Sequence, residues 1–149
     1  MNMMAILERC VRLACVAATV ATITGCRDGA DRPVPVSGRV FIDGKPLPDA
    51  TVQVVPRDSR PAVSQTDDEG RFSLTTFRAG DGCVRGTHRV VVVAVAYPTP
   101  TTEVQYVPDK YMGLATTDLE VTIEQATDDL ELHLTWGNQK GPITRSVVE

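Results

Sequence analysis

Residues 36–77 read VSGRVFIDGKPLPDATVQVVPRDSRPAVSQTDDEGRFSLTTF. Val36, Gly38, Val40 and Ile42 alternate with Ser37, Arg39 and Phe41, the period of two expected of a strand with one buried face. Asp43-Gly44 then supplies a turn, because glycine accepts a positive φ without steric cost. Pro46 and Pro48 prolong that turn and oppose further pairing. Ala50, Val52 and Val54 alternate with Thr51, Gln53 and Val55, giving a second strand that closes at Pro56. After a polar loop, residues 62–66 suit a short strand. Asp67-Asp68-Glu69-Gly70 is the next turn, and residues 71–77 form a strand with Phe72 and Leu74 on one face.

The pattern continues outward. Residues 79–86 read AGDGCVRG, a loop with three glycines, and residues 87–96 read THRVVVVAVA. The valine run predicts a mid-sheet strand covered on both faces. Residues 97–102, with two prolines and three threonines, read as a crossing loop, and Val107-Pro108-Asp109-Lys110-Tyr111 as a second loop. Leu119, Val121 and Ile123 mark one further strand, and Leu130, Leu132, Leu134 and Trp136 the last. Beyond Gly137 no pattern is long enough to bury, which predicts a frayed tail over residues 137–149. The expected fold class is all-β: seven strands in two packed antiparallel sheets over residues 36–136, without a helix.

Upstream of this domain the sequence changes character. Arg9 and Arg12, diluted by Glu8, precede an apolar run over residues 13–23. A transmembrane helix needs about 20 apolar residues, so residues 1–25 read as an export signal rather than a span. Ile23-Thr24-Gly25-Cys26 resembles the bacterial lipobox, in which signal peptidase II cuts before a cysteine whose thiol carries diacylglycerol. Gly25 is the small residue the peptidase needs at the cleavage flank, and Cys26 is the expected lipidation site. Two other readings stay open: an ordinary secretory signal that leaves Cys26 a free thiol, and an uncleaved anchor helix. Residues 26–35 form the lipidated cysteine and a polar tether with two prolines. Cys10 and Cys15 leave with the signal, so Cys83 is the one further thiol of the expected mature chain. No base and acid stand beside it in sequence to activate it.

The 149 residues suffice for one domain with a core, and 42% hydrophobic content is that of a globular chain. A formal charge of -4 and a pI near 5.2 argue against a nucleic-acid partner.

Three stretches in order resemble the carboxypeptidase regulatory-like domains, which share the transthyretin-like (prealbumin-like) sandwich. They are Val36-Ser37-Gly38-Arg39-Val40, Asp43-Gly44-Lys45-Pro46-Leu47 with Ala50-Thr51-Val52, and residues 66–72, TDDEGRF. The chain looks most like small bacterial lipoproteins of that group, which continue with a Gly-Asp-Gly loop, here Gly80-Asp81-Gly82, and a Val/Ile-Pro-x-Lys-Tyr motif, here residues 107–111. The resemblance covers residues 36–136 and implies a seven-stranded Greek-key sandwich serving as a non-catalytic accessory or adhesion module without a cofactor. One departure is Gly86-Thr87-His88, where such proteins often carry Gly-x-Tyr.

The remaining candidates are few. Asp67-Asp68-Glu69 could offer oxygens to Ca²⁺, but the acids lack calcium-loop spacing and suit hairpin turn chemistry. His88 and His133 are the only histidines, and His133 falls on the outward face of its strand. The chain end, Arg145-Ser146-Val147-Val148-Glu149, lacks the terminal Tyr-Arg-Gly-Ser of 5-hydroxyisourate hydrolase, an enzyme of related fold. No nucleophile elbow, Walker loop or paired metal ligands are present. The leading expectation is therefore a membrane-anchored lipoprotein facing periplasm or cell surface. Its sandwich would meet a protein partner in the envelope, with edge strands open to strand addition. A secreted module binding carbohydrate or a small ligand is the alternative; its aromatics would be Tyr97, Tyr106, Tyr111 and Trp136. An enzyme is the third class, and it would need a cleft joining His88 to acidic partners.

Overall fold

The computed structural model describes residues 32–147. The expected signal over residues 1–25, with Gly25, and the expected lipidation site Cys26 lie outside the described residues.

Eleven strands and one helical turn form among these residues: β1 (Val36–Ile42), β2 (Lys45–Pro46), β3 (Thr51–Val55), β4 (Ala62–Gln65), β5 (Arg71–Ser73), β6 (Gly86–Val93), β7 (Val95–Thr99), β8 (Thr102–Gln105), α1 (Asp109–Met112), β9 (Glu120–Ile123), β10 (Thr127–Leu134) and β11 (Ile143–Ser146). The fold is all-β, as the alternation predicts. The strands make three sheets. In the first, β1 pairs with β10 on one edge and with β2 and β5 on the other. The second runs β4-β3-β6-β9, and the third β11-β8-β7.

The seven strands read from the alternation fall into the first two sheets, as β10-β1-β5 and β4-β3-β6-β9. Four further strands, β2, β7, β8 and β11, were not expected. Nor is the pairing wholly antiparallel: β1 and β10 run parallel, Val40 opposite Leu132 and Ile42 opposite Leu134. Side-chain alternation marks which face of a strand is buried but is blind to chain direction.

The unexpected strands have identifiable reasons. Asp43 and Gly44 both take positive φ, 47° and 78°, the signature of a two-residue hairpin turn. That turn lets Lys45 and Pro46 return along β1 despite the proline. The run over residues 87–96 breaks at Ala94, whose carbonyl accepts the Tyr106 N–H at 2.8 Å, and the chain passes into the third sheet. β7 tolerates Pro98 because it is that sheet's edge. The expected crossing loop over residues 97–102 is thus a hairpin, with Ala96 opposite Val104 and Thr99 opposite Thr102. The tail beyond Gly137 is not frayed throughout. β11 pairs with β8 from Ile143↔Gln105 to Ser146↔Thr102, and it shows no apolar period because only one of its four residues is apolar.

One buried cluster joins the first two sheets. Val36, Val40, Phe72, Leu74, Leu132 and Leu134 meet Val52, Val54, Val90, Val92, Val121 and Ile123. Strand β6 is central, and Val91 is buried on its other face, as the valine run requires. Strand β5 stops after Ser73, sooner than expected. The chain leaves β1 and crosses to β4, where Val63 and Thr75 exchange both backbone hydrogen bonds, at 2.9 and 3.0 Å. That bridge links the first two sheets at one corner.

The parallel pair depends on Gly38. A Cβ there would lie 1.8 Å from the Leu130 carbonyl oxygen, and backbone cannot swing aside. Gly38→Ala should destabilise the fold by at least about 2 kcal/mol. Urea unfolding monitored by circular dichroism checks this, and an unchanged midpoint would mean that β10 can shift away freely.

Candidate functional site

The strand directions put one set of loops at the end where the chain enters the domain: residues 56–61, residues 74–85 and residues 124–126. Val34 is fixed there by two hydrogen bonds with Cys83, N–H to O at 2.9 Å and O to N–H at 3.0 Å. Gly82 makes this approach possible. Its φ is +87°, and a Cβ would sit 1.7 Å from the Val34 oxygen.

Asp81 sets the shape of the loop. One carboxylate oxygen accepts the Thr76 N–H at 2.7 Å, and the other accepts those of Phe77 and Arg78 at 3.0 Å each. Three consecutive amides therefore converge on one side chain. Desolvation pushes the Asp81 pKa up, but the amide donors at Thr76, Arg78 and Phe77 together outweigh it, so the net shift is downward. The Thr76 hydroxyl donates to Gly82 O at 2.6 Å, closing the loop. Phe77 is left 58% exposed at the tip beside Arg78. The Gly80-Asp81-Gly82 motif is thus a clamp holding the entry of the chain on one side and a projecting Phe-Arg tip on the other.

Cys83 is fully buried beside it, and desolvation, with a smaller contribution from the Asp81 charge, raises its pKa to about 11. A protonated, covered thiol is neither a nucleophile nor a ready partner for disulfide exchange.

Among the described residues the His88 ring bonds backbone and no acidic side chain. Its ring is buried over Gly86, and Nε2 sits 2.9 Å from the Val84 carbonyl, which can only accept, so Nε2 carries the proton. One side of the ring, with Arg57, Thr87, Arg89, Leu114 and Glu120, lines an open groove of about 730 Å³, so His88 and one acid do share a cleft. Arg89 donates to Leu114 O at 3.1 Å, so its head group is already tied to one wall. His133 is exposed, as expected: it stacks on Phe41 with 5.2 Å between centroids and contacts Glu131 at 3.0 Å.

The acidic turn is occupied by its own backbone. Asp67 Oδ1 accepts N–H bonds from Glu69 at 2.9 Å and Arg71 at 2.8 Å. Among the described residues no three His, Cys, Asp or Glu side chains are grouped to hold a metal ion.

The Val107–Tyr111 motif is also structural. Val107 and Tyr111 are buried, and the Tyr111 hydroxyl accepts the Thr135 N–H at 3.2 Å. Lys110 lies 4.4 Å from the centre of the Tyr111 ring and bonds Asp118 at 2.9 Å. Behind it, buried Gln105 donates to Asp109 at 2.8 Å and accepts from Arg145 at 2.9 Å, stapling β11 to α1. Sequence reasoning missed this network, because its members lie up to 40 residues apart.

The aromatics do not make a sugar platform. Tyr97 and Tyr106 are exposed, but the β7–β8 register sends Tyr97 to the Glu103 side and Tyr106 to the Ala94 and Ala96 side. Tyr111 and Trp136 are buried. No helix among the described residues is long and apolar enough to cross a bilayer. No family model, curated protein or solved structure matches the chain.

Two outcomes are expected. Cys83 should resist iodoacetamide at pH 8 in the native protein and react fully in denaturant, read by site-resolved mass spectrometry; native alkylation would show that the loop opens. Asp81 has a depressed pKa in the folded protein, so its contribution is present above the unfolded value near 3.8 and fades as pH falls through the lower folded value. Asp81→Asn should therefore cost about 1–2 kcal/mol at pH 7 and flatten the acid limb of the stability curve. Parallel curves for the two proteins would show that the clamp carries no charge-dependent stability.

Proposed function

We propose that the chain is an exported lipoprotein, held to a membrane through lipid on Cys26, whose β domain is a non-catalytic interaction module of the cell envelope. The observation that carries this reading is the sequence Ile23-Thr24-Gly25-Cys26 directly after a short apolar run. Two or more acyl chains would give stable anchoring, whereas one alone is marginal. A domain of carboxypeptidase regulatory-like type is part of the same proposal. The seven pattern-bearing strands in two sheets support it, as does the structural use made of both loop motifs.

The fate of the polar side chains favours binding over catalysis. Asp43, Asp67 and Asp81 accept backbone N–H groups, and Thr66, Thr76 and Thr117 donate to backbone carbonyls. These groups build turns and leave little poised to move a proton. The partner is a protein meeting the outer surface or an edge strand. Strand β10 offers eight residues and has β1 on one side only. A secreted small-ligand binder is the second reading, favoured by the groove that His88, Arg57 and Glu120 line.

Intact-mass measurement on membrane-fraction protein, beside Cys26→Ala, tests the proposal. The expected result is a mature chain beginning at lipid-modified Cys26, with the variant left uncleaved. An unlipidated mature chain in the soluble fraction would overturn the anchored reading in favour of the secreted one.

A further inference from the structure

An exposed phenylalanine on its own means little, since single apolar side chains are common on protein surfaces. Phe77 differs in how it is held and where it points. The Asp81 carboxylate gathers the amides of Thr76, Phe77 and Arg78, so the tip is built and not slack. It stands at the end of the domain where Val34 enters. On that end Phe77 has Arg78 next to it, and Arg60 lies in the β3–β4 loop just before β4; Arg57, at the start of that loop, lines the groove beside Thr87 and Glu120 instead. Val63, 39% exposed, is bridged to Thr75 two residues before the tip. The acids of this end are Asp58 in the β3–β4 loop, and Glu124, Asp128 and Asp129 toward the β9–β10 side. Asp81 is turned inward on its amides. Apolar and basic side chains thus share the β4–β5 corner, whereas three of the four acids lie across the domain from it.

Resting on the anchored reading above, we propose that this corner is a bilayer-contacting face: Phe77 enters the headgroup–acyl boundary, and Arg60 and Arg78 lie against anionic headgroups. Reach supports it. From Cys26 to Arg32 is six residues, at most about 20 Å of extended chain, so the entry end must stay beside the surface that holds the lipid. A rigid apolar tip flanked by arginines suits that interface. Each arginine near an anionic surface adds about fivefold to the affinity. The opposite end carries Asp43, Asp49, Asp67, Asp68 and Glu69, and would face away.

The test uses full-length chain reconstituted into phosphatidylcholine vesicles containing phosphatidylglycerol and a doxyl-labelled lipid. Tryptophan is placed at the tip by Phe77→Trp or at the opposite end by Lys45→Trp. Wild type, with Trp136 alone, gives the background, and circular dichroism confirms that each variant folds. Quenching should be several-fold stronger at position 77 than at 45, and Arg60→Glu with Arg78→Glu should weaken it. Intact mass of the same samples reports lipid on Cys26 separately. Equal quenching at both positions on lipidated protein overturns this inference and leaves the anchor standing. Selective quenching at 77 on unlipidated protein supports the surface and overturns the anchor. Unlipidated protein without selective quenching overturns both.

Discussion

Strand β1 is hydrogen-bonded along both edges, and the rest of the fold depends on it. One edge belongs to β10, in parallel, for the length of the strand. The other is shared: β5 takes Ser37, Gly38 and Arg39, and β2 takes Phe41 and Ile42. Val40, between them, donates to Gly70 O at 2.9 Å and accepts from Leu47 N at 3.0 Å. A strand paired on both sides leaves no open edge, and its inward residues Val36 and Val40 are almost wholly buried. The close approach at Gly38 is what lets β10 lie alongside.

Much of this was legible in the sequence because burial leaves a period. The faces of β1, β3, β9 and β10 are those that alternation assigns, and the valine run of β6 does lie mid-sheet. Illegible were features that depend on partners distant in the chain. The parallel direction of β10 leaves no local trace. β11 is specified by Arg145 meeting Gln105 and by its pairing with β8, neither of which its four residues display. β7 hides behind prolines that only an edge strand accepts. The candidate site was legible in part: Gly80-Asp81-Gly82 was visible as a motif, but not its role as a clamp, because a carboxylate reaching back to three amides looks in sequence like any acidic loop.

A common economy runs through the polar residues. In a small β domain the turns hold many backbone N–H groups that no strand satisfies, and leaving them unpaired in partly buried loops is costly. Short acidic and hydroxyl side chains solve this locally. Asp43 serves Trp136, Asp67 serves Glu69 and Arg71, and Thr66 serves Ala50. The apparent clusters of candidate ligands dissolve into this scaffolding.

The bridge between Val34 and Cys83 also has a mechanical meaning. Tension applied to residues upstream of Arg32 reaches the domain first at those two hydrogen bonds, and then runs along the axis of β1. The bonds that hold β1 to β10 and β5 lie across that axis. They are loaded together, in shear, instead of being unzipped one at a time. A domain towed by this end would yield only when many bonds fail at once, whereas a pull on β11, which pairs with β8 alone, would meet a single ladder.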